Sequence, residues 1–186
     1  ALAFASVRAA MAVSQRGEQI AADSERMRAV QALLRRQLGG ALRSPIEVPD
    51  PTREPVFFQG DDEGMQFVAD LPGYLGRGGA YLHTLQVDGA PGQRRLLLDM
   101  VLLQEGERLP ETPPRPPEVL ADGLKDVTLR YRGVDPANGQ MSDWLPRWDD
   151  TRRLPLLVEV QIVPQRGAAW PPLVVAPRAG GLGGAR

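Results

Sequence analysis

The most constraining feature is a stretch of proline-free chain at the amino end. No proline occurs before Pro45, and Gly17 is the only glycine ahead of Gly39. Alanine, leucine, arginine, glutamine and glutamate dominate this stretch, all of them good helix formers. Ile20, Met27, Val30, Leu34 and Leu38 recur at intervals of three, four and seven and so make one apolar stripe. Arg16, Glu25, Arg28, Arg35 and Arg36 fall mostly away from it. Gly39-Gly40 supplies a stop, and Pro45 bars an early restart. The reading is one helix from near the N-terminus to about Leu38. At 1.5 Å per residue, ~38 residues make a rod of roughly 57 Å. A globule of this length has a radius of gyration of about 16 Å and a diameter near ~40 Å. Such a helix is too long to lie wholly on its own domain.

The stripe changes character along the rod. From Ile20 onward it is amphipathic, whereas Ala1–Val13 is apolar or small almost all round, broken only by Ser6 and Arg8. That segment is shorter than the ~20 apolar residues that span a bilayer, and no basic leader precedes it. The expectation is that residues 1–13 are the distal part of a longer hydrophobic helix whose beginning lies upstream. The domain organisation read here is a helix over 1–42, a β domain over 43–178 and a disordered tail over 179–186.

After Pro45 the pattern becomes short apolar runs separated by glycine and proline, which reads as strands and turns. Candidate strands are Val56–Gln59, Gly64–Asp70, Tyr81–Val87, Arg95–Gln104, Val127–Arg132 and Leu156–Val163. Turn formers stand between them at Pro72-Gly73, Gly76-Arg77-Gly78-Gly79, Asp88-Gly89 and Asp135-Pro136-Ala137-Asn138-Gly139. Residues 110–117, Pro-Glu-Thr-Pro-Pro-Arg-Pro-Pro, predict a stiff surface crossover, followed by a short turn at Glu118–Gly123. The fold class is α+β: a long N-terminal helix packed on an antiparallel β domain made of two small sheets.

Chemistry is scarce. The chain has no cysteine and one histidine, which removes disulfides, thiol nucleophiles and multi-histidine or cysteine-bearing metal centres. A net charge of -1 gives no general attraction to nucleic acid. A serine triad would have to use His83, yet Ser6, Ser14, Ser24 and Ser44 lie in or just beyond the helix and only Ser142 in the β part. His83 therefore reads as a structural strand residue, sharing a face with Tyr81 and Leu85 and opposite Leu82 and Thr84. Asp61-Asp62-Glu63 and Asp149-Asp150 read as solvated loop tips. Asp135, Asn138 and Asp143 invite a calcium reading but lack the spacing of a calcium loop, and turn chemistry explains them without an ion. Arg130, Tyr131, Arg132 and Phe67 suggest a basic aromatic surface, which the neutral balance argues against. No residue is assigned a catalytic, cofactor or metal role.

Several fragments, in order, carry a resemblance. Glu25-Arg26 with Val30 and Leu34 forms an amphipathic half-helix. Phe58-Gln59-Gly60 precedes Met65-Gln66-Phe67-Val68, then Leu85-Gln86-Val87. Leu120-Ala121-Asp122-Gly123-Leu124 leads to Leu129-Arg130-Tyr131-Arg132. Trp144-Leu145-Pro146-Arg147-Trp148 leads to Leu154-Pro155 and Val158-Glu159-Val160. A hydrophobic helix followed by a small β domain resembles the type IV pilin-like proteins. Within them, these fragments over residues ~1–165 are similar to the J-type minor pseudopilin of the bacterial type II secretion system.

That resemblance implies a structural protein rather than an enzyme, with no cofactor. It implies a single-pass anchor in the inner membrane, a periplasmic β domain, and assembly with I- and K-type pseudopilins, and with the H-type as a further candidate, at the tip of the pseudopilus. Phe4, Val7, Met11 and Val13 are then assigned to partners, and Ile20, Met27 and Leu34 to the chain's own sheet. Trp144 and Trp148 are either both core plugs or include one exposed interface anchor. Three other readings stand beside this one within the envelope. A minor type IV pilin usually carries a C-terminal disulfide loop, which the lack of cysteine disfavours. A membrane-tethered β domain binding a small molecule or glycan would gather its aromatics in one concave site. A periplasmic hydrolase using the acidic turns has little chemistry to support it.

Overall fold

The computed structural model describes residues 2–47, 50–71 and 77–178, with the side chains of 2–10 also left aside. The elements in chain order are α1 (Leu2–Gly39), β1 (Ala41–Leu42), β2 (Phe58–Gly60), β3 (Gly64–Leu71), β4 (Gly79–Asp88), β5 (Arg94–Gln104), β6 (Glu107–Leu109), β7 (Glu118–Arg132), β8 (Leu157–Pro164) and β9 (Leu173–Val175). By contact the chain divides into two compact units, Ala1–Leu33 and Leu34–Arg186. The tail read as 179–186 and the turn at Pro72-Gly73 lie outside the described residues.

The first unit is helix alone. Ser14 Oγ donates to Glu18 and Gln19 Nε2 to Asp23, each pair exposed and four residues apart. Met11, Val13 and Ile20 stand 61, 72 and 61 % exposed. Ile20, expected on the chain's own sheet, is therefore solvent-facing. It lies fourteen residues before Leu34, which at 1.5 Å per residue is about 21 Å up the helix. None of the described helix is long and apolar enough to cross a membrane.

The second unit begins with the last turn of α1. Leu34, Gln37 and Leu38 are buried there, and each leucine sealed from water is worth roughly 1.5–3 kcal/mol. Gly40 N–H closes the helix on Arg36 O at 3.0 Å, and Arg178 N–H donates to the carbonyl of Gly39. The chain then turns straight into β1.

One antiparallel sheet holds all nine strands in the order β1-β3-β4-β5-β7-β8-β9, with β2 on β3 and β6 on β5. The two small sheets expected from the sequence are thus a single one. The joint is β7, which also replaces the turn expected at Glu118–Gly123. Its first half pairs with β5 (Val119 opposite Leu97) and its second half with β8 (Tyr131 opposite Val158). Register shifts fall between Arg94 and Leu96, between Leu96 and Leu97, and between Leu124 and Asp126. Gly123 sits among them at φ 59°, a conformation open to glycine. The bulges bend the strand without ending it, so a Gly-containing run that reads as a turn is paired backbone.

Alternation sorts the side chains into two layers. Phe58, Phe67, His83, Leu85, Leu96, Leu98, Leu129, Tyr131, Val158 and Val160 are buried. Ile46, Val68 and Leu82 make a second, smaller cluster, against which Leu42, Val56 and Leu103 pack. The proline-rich stretch over 110–117 is exposed throughout and lies outside the strands, as expected. The short edge strand β9 is flanked by Pro171, Pro172 and Pro177, residues that deny a further strand its ladder.

Candidate functional site

The single histidine is sealed into the core. His83 has no solvent exposure and stacks on Phe67 with ring centroids 5.1 Å apart and planes 13° apart. Its Nδ1–H donates to Tyr81 O at 2.9 Å, which fixes the tautomer, and Nε2 is buried without a partner. Burial drives its pKa down to about 4, against the opposing pull of the Tyr81 carbonyl. A neutral imidazole walled in by rings cannot reach a substrate. Phe58 lies 6.3 Å from Phe67 and meets Tyr131 edge-on at 5.8 Å. The Tyr131 hydroxyl donates to Asp61 O at 2.8 Å, with Gly64 O at 3.3 Å, and desolvation raises its pKa beyond any physiological range. Tyr131 and Phe67 therefore contribute nothing to a basic aromatic surface.

The acidic turns are occupied by their own backbone. Asp61 Oδ1 accepts from Glu63 N–H and Gly64 N–H at 2.9 and 3.0 Å. Asp135 accepts from Ala137 N–H at 2.8 Å and from Asn138 Nδ2 at 3.1 Å, while Asn138 Oδ1 accepts from Gln140 N–H at 2.8 Å. Among the described residues no group of three or more carboxylates or histidines is placed to share an ion.

The segment after β7 crosses the unit as a strap. Leu145 exchanges backbone hydrogen bonds with Tyr131, Trp148 N–H donates to Gly60 O at 2.9 Å, and Phe57 N–H donates to Thr151 O at 2.7 Å. These isolated pairs link β7 to β2 on the side that the main ladder leaves open. Trp148 is the buried plug of the strap, its Nε1–H donating to Arg153 O at 2.9 Å. Its ring lies over Gly133, where a Cβ would come within 2.3 Å of Cη2. Of the two tryptophans singled out from sequence, Trp148 is thus taken up by the core. Trp144 is half-buried on the outside, with the guanidinium of Arg132 5.2 Å and that of Arg130 5.7 Å from its ring.

A groove of about 520 Å³ runs beside the strap, lined by Gln59, Gln66, Thr84, Arg147, Trp148 and Thr151 among others. Gln59 Nε2 donates to Gln66 Oε1 at 2.5 Å, and Gln66 Nε2 to Thr84 Oγ1 at 3.0 Å, so these amides satisfy one another. Trp148 is the groove's only aromatic and is buried. The aromatic platform that a glycan site would need is therefore missing from this groove.

Exposed apolar side chains stand on both units. On the helix, Met11 and Ile20 are separated by nine residues, or 900° at 100° each, which sets them on opposite faces. Val13 shares the Ile20 face, seven residues away. The side chains of Phe4 and Val7 lie outside the described residues. On the β unit, Val134 and Met141 form an isolated pair and are 50 and 52 % exposed. Sequence reasoning missed this second surface because the two residues flank a turn of polar character.

No protein-family model matches the chain. Among curated proteins, Type II secretion system protein J of Xanthomonas campestris pv. campestris is 50% identical to it over 184 residues, covering 98% of this chain and 87% of the relative.

Proposed function

We propose, because this chain belongs to the type II secretion system protein J family and is a pseudopilin of that system, that it is a structural tip subunit held to two different neighbours by its helix. The neighbours are the I- and K-type pseudopilins, with the H-type a further contact. The subunit is anchored in the inner membrane, carries its β unit in the periplasm, and aids export across the outer membrane without catalysing a reaction.

The observation that carries this reading is the helix with two apolar faces. Met11 on one side and Val13 with Ile20 on the other are all more than 60 % exposed. A helix that serves one interface needs one stripe. One with large apolar side chains on opposite faces suits the middle of a bundle, with a partner helix on each side. The sealed, neutral His83 and the self-satisfied acidic turns support a non-enzymatic role.

The test is size-exclusion chromatography with light scattering on the chain, alone and mixed with the I- and K-type domains of the same system. A one-to-one-to-one complex is expected. A monomer that ignores both partners would end the tip-subunit reading and favour a tethered binding domain.

A further inference from the structure

On the outer face of the sheet, away from His83 and Tyr131, the pairings gather one set of side chains. Arg132 stands opposite Leu157, Arg130 opposite Glu159, and Glu159 opposite Val174. Val134, two residues beyond Arg132, pairs with Met141, whose neighbour Ser142 accepts from Arg132 Nε through its carbonyl. Trp144 lies under both guanidiniums. Val134, Met141 and Val174 are exposed, and Trp144 and Leu157 half-buried.

The two arginines differ in charge balance. Arg130 is neutralised, its Nε donating to Glu159 Oε1 at 2.8 Å with a second, shorter bond from the other arm of the fork. Arg132 spends Nε on the carbonyl of Ser142 at 2.8 Å, and no carboxylate among the described residues pairs with it. It is a planar cation, pre-positioned on an indole, in the middle of an apolar patch. A protein carboxylate flanked by apolar side chains is its complement.

Size decides the kind of partner. A stable free-standing interface uses roughly 20–30 residues a side, and this patch offers about five. It suits only a partner already held nearby, for which the patch acts at high effective concentration. An anionic membrane is a poor match, since such surfaces are read by clusters of about four to eight basic residues and one unpaired arginine stands here. We infer that Arg132, Trp144, Val134 and Met141 form a second contact for the β domain of a neighbouring pseudopilin whose helix is bound to α1. This rests on the tip-subunit reading.

The experiment titrates the I- and K-type domains against the whole chain and two variants, Arg132→Glu and Met141→Asp. Met141 is exposed, so its variant keeps the fold even where Arg132→Glu disturbs the Ser142 contact; a thermal melt checks both. The expected result is an affinity at least about tenfold weaker for one partner in each variant, with Arg132→Glu restored by reversing one acidic residue on that partner. If the wild-type chain assembles and both variants match it, the patch inference fails while the tip-subunit reading stands. If the wild-type chain does not assemble, that reading fails and takes the inference with it. Self-association or vesicle binding lost in both variants, with pseudopilin affinity unchanged, would assign the patch to a different occupant and overturn the proposal.

Discussion

His83 makes stability depend on pH in a window set by its burial. In the unfolded chain an imidazole titrates near 6.5, and in the folded protein near 4. Above about pH 6.5 both states are neutral and nothing is lost. Between 6.5 and 4 the unfolded chain takes up a proton that the folded chain refuses, so stability falls as the pH falls; below about 4 the slope levels off. The full span is worth about 3 kcal/mol, of which about 2 kcal/mol lies between pH 7 and 4.5. Asp50 and Asp88 do not add to this loss, because hydrogen bonds from Thr52 and from Arg95 respectively hold their carboxyls below the usual carboxylate range. The perturbation is His83→Phe, which keeps a flat ring against Phe67 and removes the proton site. It also loses the bond to Tyr81 O, an offset of about 1 kcal/mol at every pH. Urea unfolding of both proteins from pH 4.5 to 8 reads the difference. The wild type is expected to be the more stable at pH 7.5 and to lose about 2 kcal/mol relative to the variant by pH 4.5. Parallel curves would mean that the imidazole is solvated in the folded state, and the argument from burial would be wrong.

Gly133→Ala drives a methyl into the Trp148 ring and should cost about 2–4 kcal/mol through overpacking and the strained indole hydrogen bond; at roughly 2–4 °C per kcal/mol, the melt should fall by about 4–16 °C. Tyr131→Phe keeps the ring and leaves Asp61 O without its donor, so a loss of about 1–3 kcal/mol with an unchanged urea slope is expected. Met11→Arg and Ile20→Arg alter exposed positions on opposite helix faces. Each should leave the melting temperature within about 1–2 °C of wild type and abolish binding to a different pseudopilin, measured by pairwise titration. Loss of the same partner by both would refute the two-faced helix.

Much of the fold was legible because it follows from local periodicity. The helix end at Gly39-Gly40 and the strands at Gly64–Leu71, Gly79–Asp88 and Leu157–Pro164 repeat patterns visible within a dozen residues. What escaped were features whose cause lies far along the chain. β1 and β9 are two and three residues long, too short for any period to register, and exist because β3 and β8 offer them an edge. β7 looked like a turn plus a strand because Gly123 carries a stop signal. Whether a glycine ends a strand or bulges it depends on whether a partner waits on the far side, and here β8, arriving some thirty residues later, supplies one.

The two tryptophans show the same limit in the residues that matter most for binding. Trp144 and Trp148 flank one proline in a five-residue segment, and no local rule separates them. The separation comes from β7: Gly133 has no side chain and leaves room for the Trp148 ring, while Arg130 and Arg132 hold Trp144 on the other face. Alternation along one strand thus assigns one indole to the core and the other to the surface. A bulky residue at 133 would take away the space that Trp148 fills, and the strap it anchors between β2 and β7 would loosen. Trp144 would then lose the backbone that positions it over Arg132. The exposed patch is for that reason as dependent on a buried glycine as on its own side chains, and Gly133→Ala should weaken pseudopilin binding as well as stability, whereas Met141→Asp should weaken binding alone.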